Sequence, residues 1–280
     1  METTLEKPPA ETVRSAEEER LRAKQRKERR RQWFWRLAGY VVFLGLWELA
    51  SGWVMEEDLL PGPIRIIETF PEIYQSGRFL LSFGATLTRL GVGFGLAFVV
   101  GTLIGLAVQI KWFDRFFKDG VTIGLTAPGL IWALIGLVIW GFEPQGWIFA
   151  IFMVTFAIVA VNVSEGIRAL PKDLIDMSKA FGVPSLRRQR QIVIPHLAPY
   201  LFTAIRFGFS IGWKVTVLTE VFSSNKGIGF EMRVSSQLFR LDEFFTWVLA
   251  FFIFALFLEK VVLQSFERRF FRWRQEVSST

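Results

Sequence analysis

The stretch Leu170–Pro199, LPKDLIDMSKAFGVPSLRRQRQIVIPHLAP, is polar and basic, yet it lies between two apolar runs long enough to cross a bilayer. Loops between such runs are usually short and shapeless. This one carries helix signals. Pro171 suits a first helical turn, where its missing N–H is no loss. Leu174, Ile175, Met177, Ser178 and Phe181 then fall on neighbouring turns of one face, and Gly182 sits where a helix-terminating glycine belongs. Pro184–Gln191 offers a second short helix, with Arg187, Arg188 and Arg190 exposed, ahead of Ile192-Val193-Ile194-Pro195. A short helix with an apolar stripe, laid across one face of a membrane protein, is built to be gripped by another protein.

Composition agrees with a membrane setting. Hydrophobic residues make up 51% of the 280, with 30 Phe and 11 Trp, unlike a soluble domain of this length. Six apolar stretches of at least 18 residues are expected to be helical crossings: Leu37–Val54, Gly84–Val108, Val121–Trp140, Gly146–Val163, Pro199–Val221 and Phe245–Leu263. The expected fold is therefore an all-α polytopic membrane protein with both termini on one side. Its parts are a basic tail with an interfacial segment (1–36), a transmembrane region (37–274) and a short tail (275–280). Lys and Arg set the orientation. With the N-terminus inside, the inside segments hold 24 of them and the outside segments 5. Both termini and the 170–199 stretch are thus expected in the cytoplasm.

The same distribution answers the net charge of +7. Basic residues border apolar spans, and no base-stacking platform accompanies them, so nucleic acid is not an expected partner. Membrane lipid is. The tail ends in Arg29-Arg30-Arg31 and runs into Trp33-Phe34-Trp35, the composition of an interface with anionic headgroups. That tail is too charged and too long for the n-region of a cleaved signal. The chain has no Cys and one His, His196, so neither a disulfide framework nor a thiolate or His-pair metal site is expected. Gly91/Gly95 and Gly101/Gly105 have the spacing for close helix packing within a subunit or across a dimer seam. No Gly-x-x-x-x-Gly-Lys-Ser/Thr string occurs, so no phosphate cradle is expected here, and the chain is not expected to be an enzyme.

The 170–199 stretch resembles the cytoplasmic "EAA" loop of permease subunits of ATP-binding-cassette importers: Glu-Ala-Ala, three residues, Gly, nine residues, Ile-x-Leu-Pro. Asp176-Met177-Ser178 takes the triplet's place, Lys179, Ala180 and Phe181 follow, and Gly182 is the glycine. Nine residues later comes Ile192-Val193-Ile194-Pro195. The triplet keeps only its acidic character, and Ile194 replaces the leucine. The likeness runs from about Phe43 to Arg274 and points to the nitrate, sulfonate, taurine and aromatic-acid branch. Leu46-Trp47-Glu48-Leu49-Ala50, Leu60-Pro61-Gly62-Pro63 and Leu87-Thr88-Arg89-Leu90 with Gly93-Phe94 resemble that group's first two spans and the segment between them. Asn162, Gly166, Arg168 and Pro171 match its lead into the loop. Ala204-Ile205-Arg206 with Glu220 is similar to its fifth span, and Phe266–Arg274 to its basic ending.

The resemblance implies a coupling helix that seats in an ATP-binding subunit. It also implies two such subunits carrying ATP and Mg, a second permease copy, and an extracytoplasmic solute-binding protein at the outer mouth, near Phe222–Phe244. In a bacterial inner membrane the assembly would import a solute by alternating access. Two departures bear on the solute. Thr126-Ala127-Pro128-Gly129 stands where the group often has a double proline, in a segment expected to line the pathway together with Trp132. Lys214, beside Trp213 in the fifth span, stands where the group usually has an apolar residue. A Lys at mid-membrane faces protein or water. It either lines the cavity and attracts an anion such as a sulfonate, nitrate, bicarbonate or aromatic carboxylate, or it pairs structurally with Glu220, Glu48 or another subunit. Asn162 and Glu220 complete the pathway candidates. An ATP-independent transporter or channel is the alternative class, but it leaves the docking loop idle. An enzyme would have only Lys214 with Ser210 to work with.

Overall fold

A computed structural model describes residues 10–107, 110–263 and 265; the basic ending Phe266–Arg274 and the short tail after it lie outside these. All regular elements among the described residues are helices. The chain divides into two units, residues 1–65 and 66–280.

The first unit is dominated by α1 (Ala10–Trp53), which breaks at Ser51 and Gly52. Trp33, Phe34 and Trp35 are all exposed along it. Glu48 reaches back to the Leu60-Pro61-Gly62-Pro63 turn, where its carboxylate accepts the Ile64 N–H at 3.4 Å. A Cβ on Gly62 would come within 2.8 Å of Glu48 Cδ, so a larger residue there would push the carboxylate aside.

The second unit contains α2 (Pro63–Gln75, of which residues 66 onward belong here), α3 (Arg78–Ala107), α4 (Lys111–Thr126), α5 (Gly129–Trp140), α6 (Pro144–Arg168), α7 (Lys172–Ala180), α8 (Ser185–Arg188), α9 (Ile194–Ser223), α10 (Ile228–Gln237) and α11 (Leu241–Phe257). The hub is α6, which touches α3, α4, α5 and α9. Its buried side includes Gly146, Ala150, Ala157, Ala160 and Gly166, small residues that let neighbouring backbones approach. Gly101 and Gly105 of α3 use that surface. A Cβ at Gly101 would lie 2.8 Å from Val159 Cβ, and one at Gly105 2.8 Å from the Ala160 carbonyl oxygen. Gly91 and Gly95, the other spaced pair, face open space instead.

Four helical stretches among the described residues are long and apolar enough to cross a membrane: 78–107, 144–168, 185–223 and 241–261. The expected third crossing, Val121–Trp140, is not one straight helix. It is the end of α4 and the whole of α5, bent by 101° at a short break. The cause is local. Pro128 disfavours the α region for Ala127, whose ψ is 127°, and Pro128 itself adopts ψ 137°. Counted as one, the pair makes a fifth apolar crossing. The first expected crossing, Leu37–Val54, is helical only to Trp53 and is diluted by Glu48 and the Ser51-Gly52 break, so it falls outside that set.

Candidate functional site

The basic stretch folds as α7, a turn, and then an uninterrupted helical run from Ser185 into the crossing. Pro171 caps α7, and Gly182 (φ +67°) ends it. The Gly182 N–H donates to the Lys179 carbonyl (2.9 Å) and the Val183 N–H to the Ser178 carbonyl (2.9 Å), a paired closure that needs a left-handed residue between them. The expected single apolar face is in fact divided. Ser178 is buried, its hydroxyl donating to the Ile175 carbonyl at 2.7 Å, and Ile175 is half-buried beside it. Leu174, Met177 and Phe181 are exposed, Phe181 by 80%. Asp176 and Lys179 form an exposed ion pair (3.0 Å), and Ala180 is exposed next to them.

No break separates the expected second helix from Ile192-Val193-Ile194-Pro195. Pro195 has no N–H to give to the turn before it, and the ladder widens just ahead into a π-helical turn over Gln189–Val193, with the Ile194 N–H donating to the Gln189 carbonyl. Ile192, Ile194 and Pro195 are thus part of a 39-residue helix that continues to Ser223. His196 Nε2 lies 3.2 Å from the Gly166 carbonyl oxygen and its ring lies beside Tyr200, so it joins α9 to the end of α6.

The structure disperses the pathway candidates. Trp213 is 2% exposed and stacks on Phe251 (5.5 Å between centroids, 7° between planes) within a cluster that includes Phe83 and Phe254. Glu220, expected as one possible partner of Lys214, is instead fully buried against Arg89 (2.7 Å). The Gly229 N–H donates to its carboxylate at 3.0 Å, and the Thr86 hydroxyl lies 2.9 Å away. The Ile228 N–H donates to that same hydroxyl at 3.0 Å. A carboxylate this buried needs several donors, and α3 and the start of α10 provide them. Arg89 also lies over the Trp147 ring (5.7 Å). The Arg89–Glu220 pairing was not among the sequence expectations. The sequence shows each as a charge inside an apolar helix, but not that the two meet.

Pro128 is exposed at the break. Trp132 packs edge-on to Phe149 and joins the cluster around Val215, its indole N–H buried and without a partner among the described residues. Asn162 donates to the Ile158 carbonyl one turn back (2.8 Å). Lys214 is exposed and has no carboxylate partner among the described residues. It lies in a small cavity with Ser210, Ala255, Leu258 and Glu259. Arg206 is ion-paired with Glu259 (Nε to Oε1 3.0 Å). Among the described residues, no group of three or more His, Cys, Asp or Glu side chains could hold a metal ion.

Residues 97–273 match the family profile described as a binding-protein-dependent transport system inner membrane component. The chain is 26% identical over 253 residues to an aliphatic sulfonates transport permease protein of Escherichia coli, covering 87% of this chain and 94% of that protein. It is 30% identical to the nitrate import permease of a Synechocystis species (68% and 72% covered). It is 28% identical to the bicarbonate transport system permease of Synechococcus elongatus (69% and 74%). In fold it is similar to a chain in the crystal structure of an amino acid ABC transporter with histidines. The TM-score is 0.59 at 19% identity, covering 71% of this chain and 97% of that one.

Proposed function

This chain belongs to the family of binding-protein-dependent transport system inner membrane components, and from that membership we propose that it is the permease subunit of an ATP-driven importer for a small anion. Two ATP-binding subunits supply Mg-ATP hydrolysis, a second copy of the chain completes the pathway, and an extracytoplasmic solute-binding protein delivers the solute. Six crossings place both termini and α7 in the cytoplasm of a bacterial inner membrane, the first crossing being the apolar end of α1. ATP binding closes the two ATPases, moves the α7 helices and turns the cavity outward. Hydrolysis resets it. ATP drives this motion only because the closed ATPases favour one of the two permease states.

The observation that carries the reading is the exposed apolar ridge of α7. Leu174, Met177 and Phe181 stand out from a helix that Ser178 anchors beneath and that Gly182 stops. Such a ridge is the anchor of a helix-in-groove contact. Asp176 and Lys179 flank it as a polar rim, and Ala180 leaves room beside Phe181. Ile192, Ile194 and Pro195 tie it to the rigid α9, so that a push on α7 reaches the crossing. The solute pathway is assigned to Lys214 together with Pro128 at the α4–α5 break, Trp132 and Asn162, while Trp213 and Glu220 support it. The named substrates of similar permeases, aliphatic sulfonates, nitrate and bicarbonate, are all anions and share the need for a cation at membrane depth.

Phe181→Asp tests the ridge. The variant should reach the membrane and fold normally, because Phe181 is exposed, but it should lose its ATPase on purification. An ATPase retained at full stoichiometry by both Phe181→Asp and Met177→Asp would contradict the assignment.

A further inference from the structure

Three charged side chains and a serine share one groove between α9 and the end of α11. Arg206, Ser210 and Lys214 recur every four residues on α9 and so form a single stripe. Across from them, Ala255 and Glu259 line both of the cavities that make up the groove, and Ser210 is also common to both. The larger cavity, beside Arg206, measures about 350 Å3, within the range of roughly 300–1,000 Å3 usual for small-molecule sites, and the smaller one, beside Lys214, about 40 Å3. Glu259 stands on a π-helical turn that extends α11.

Depth follows from helix geometry. At about 1.5 Å per residue, Lys214 lies about 14 Å and Arg206 about 26 Å along α9 from Ser223. Glu259 lies about 27 Å from the start of α11 at Leu241. In a hydrocarbon core of about 30 Å, Lys214 is near the middle, whereas the Arg206–Glu259 pair is near the cytoplasmic edge. A face bearing three charges over this depth does not look onto lipid. Nor do the charges cancel. Among the described residues that line the two cavities, Glu259 offsets Arg206, and no carboxylate offsets Lys214.

We propose that Arg206, Ser210 and Lys214 form a water-filled ladder for a small oxoanion on the cytoplasmic half of the pathway, and that Glu259 is the resident counter-anion of its last rung. This rests on the permease reading and deepens it. The solute meets Lys214 at mid-depth and passes Ser210, whose hydroxyl donates to it. It then competes with the Glu259 carboxylate for the Arg206 guanidinium. A guanidinium accepts a carboxylate, nitrate, bicarbonate or sulfonate through two parallel N–H bonds, so the solute reproduces the contact it displaces. The return of Glu259 to Arg206 expels the anion, which keeps the last rung from becoming a trap.

The absence of cysteine from the chain makes the test direct. Ser210→Cys is introduced into the full chain, expressed with its partner subunits, and probed in membrane vesicles with anionic and cationic methanethiosulfonates of similar size. Rates are normalised to a Leu186→Cys reference on the exposed start of the long helix. The anionic reagent should gain by about tenfold over the cationic one, the lower range of focusing in a charged cleft. Lys214→Met in the same background should erase that gain, and Glu259→Gln should enlarge it. Ala255→Cys on the facing wall gives an independent reading of the same groove. Failure of both cysteines to react, or equal rates for the two reagents, would overturn the proposal. Finding the ATPase in the same vesicles while the cysteines stay silent would sink the ladder alone. Charge-selective labelling without an ATPase would keep the ladder and remove the importer.

Discussion

Arg89 and Glu220 face each other across 2.7 Å, with side chains 12% and 0% exposed. The pair holds more than itself, because Glu220 also takes the Gly229 N–H and packs under Gly227, a residue at φ +111°. It therefore pins the turn between α9 and α10 to α3. Removing one partner leaves an uncompensated buried charge, which costs about 3–5 kcal/mol. Glu220→Ala and Arg89→Ala should each lower the thermal unfolding midpoint of the detergent-solubilised protein sharply. The double variant should be less harmed than the two single losses added together. Additive losses would mean that the pair does not act as a unit. Neither residue could be matched to the other from sequence, because the partners are 131 positions apart and nothing local relates them. Lys214 was legible, since a lysine inside an apolar run is conspicuous. The carboxylate that shares its cavity, Glu259, became visible only once α11 was laid beside α9.

Among the elements, α3 shows how one sequence signal divides between two roles. Gly101 and Gly105 press against α6, while Gly91 and Gly95, with the same spacing, face open space. Gly105→Leu would drive a side chain into Val163 and the Ala160 backbone, and overpacking of this kind costs about 1–3 kcal/mol. Heating the solubilised protein before size exclusion should show Gly105→Leu lost at a lower temperature than the parent chain. Gly91→Leu should match the parent. Equal loss in both would contradict the packing described for α3. The α4–α5 break was half legible. Thr126-Ala127-Pro128-Gly129 carries its own break signal, but a run of apolar residues on both sides reads equally well as one straight crossing. Hydropathy reports length, not direction. The continuity of Ser185–Ser223 was hidden for the opposite reason. Pro195 and Pro199 suggest ends, yet Pro195 sits in a first turn of α9, and the widened turn before it carries the helix through.

For the molecule as a whole, the class was readable because membrane insertion constrains sequence so heavily. Long apolar runs, basic residues gathered at one side and a docking loop between two runs leave few architectures standing. Side-chain partnership was not readable. It depends on which helices meet, and α6 as the common neighbour of α3, α4, α5 and α9 could not be deduced from periodicity in runs that are apolar all round. The chain is proposed to move solute only in partnership with an ATPase held at α7. The most direct test is to purify the tagged chain from its native membrane in mild detergent and identify every stoichiometric partner by mass. An ATP-binding subunit with a Walker A motif should be present with the parent chain and absent when α7 is disrupted at Asp176 and Gly182 together. A chain that purifies alone and still moves solute without any ATPase would contradict it.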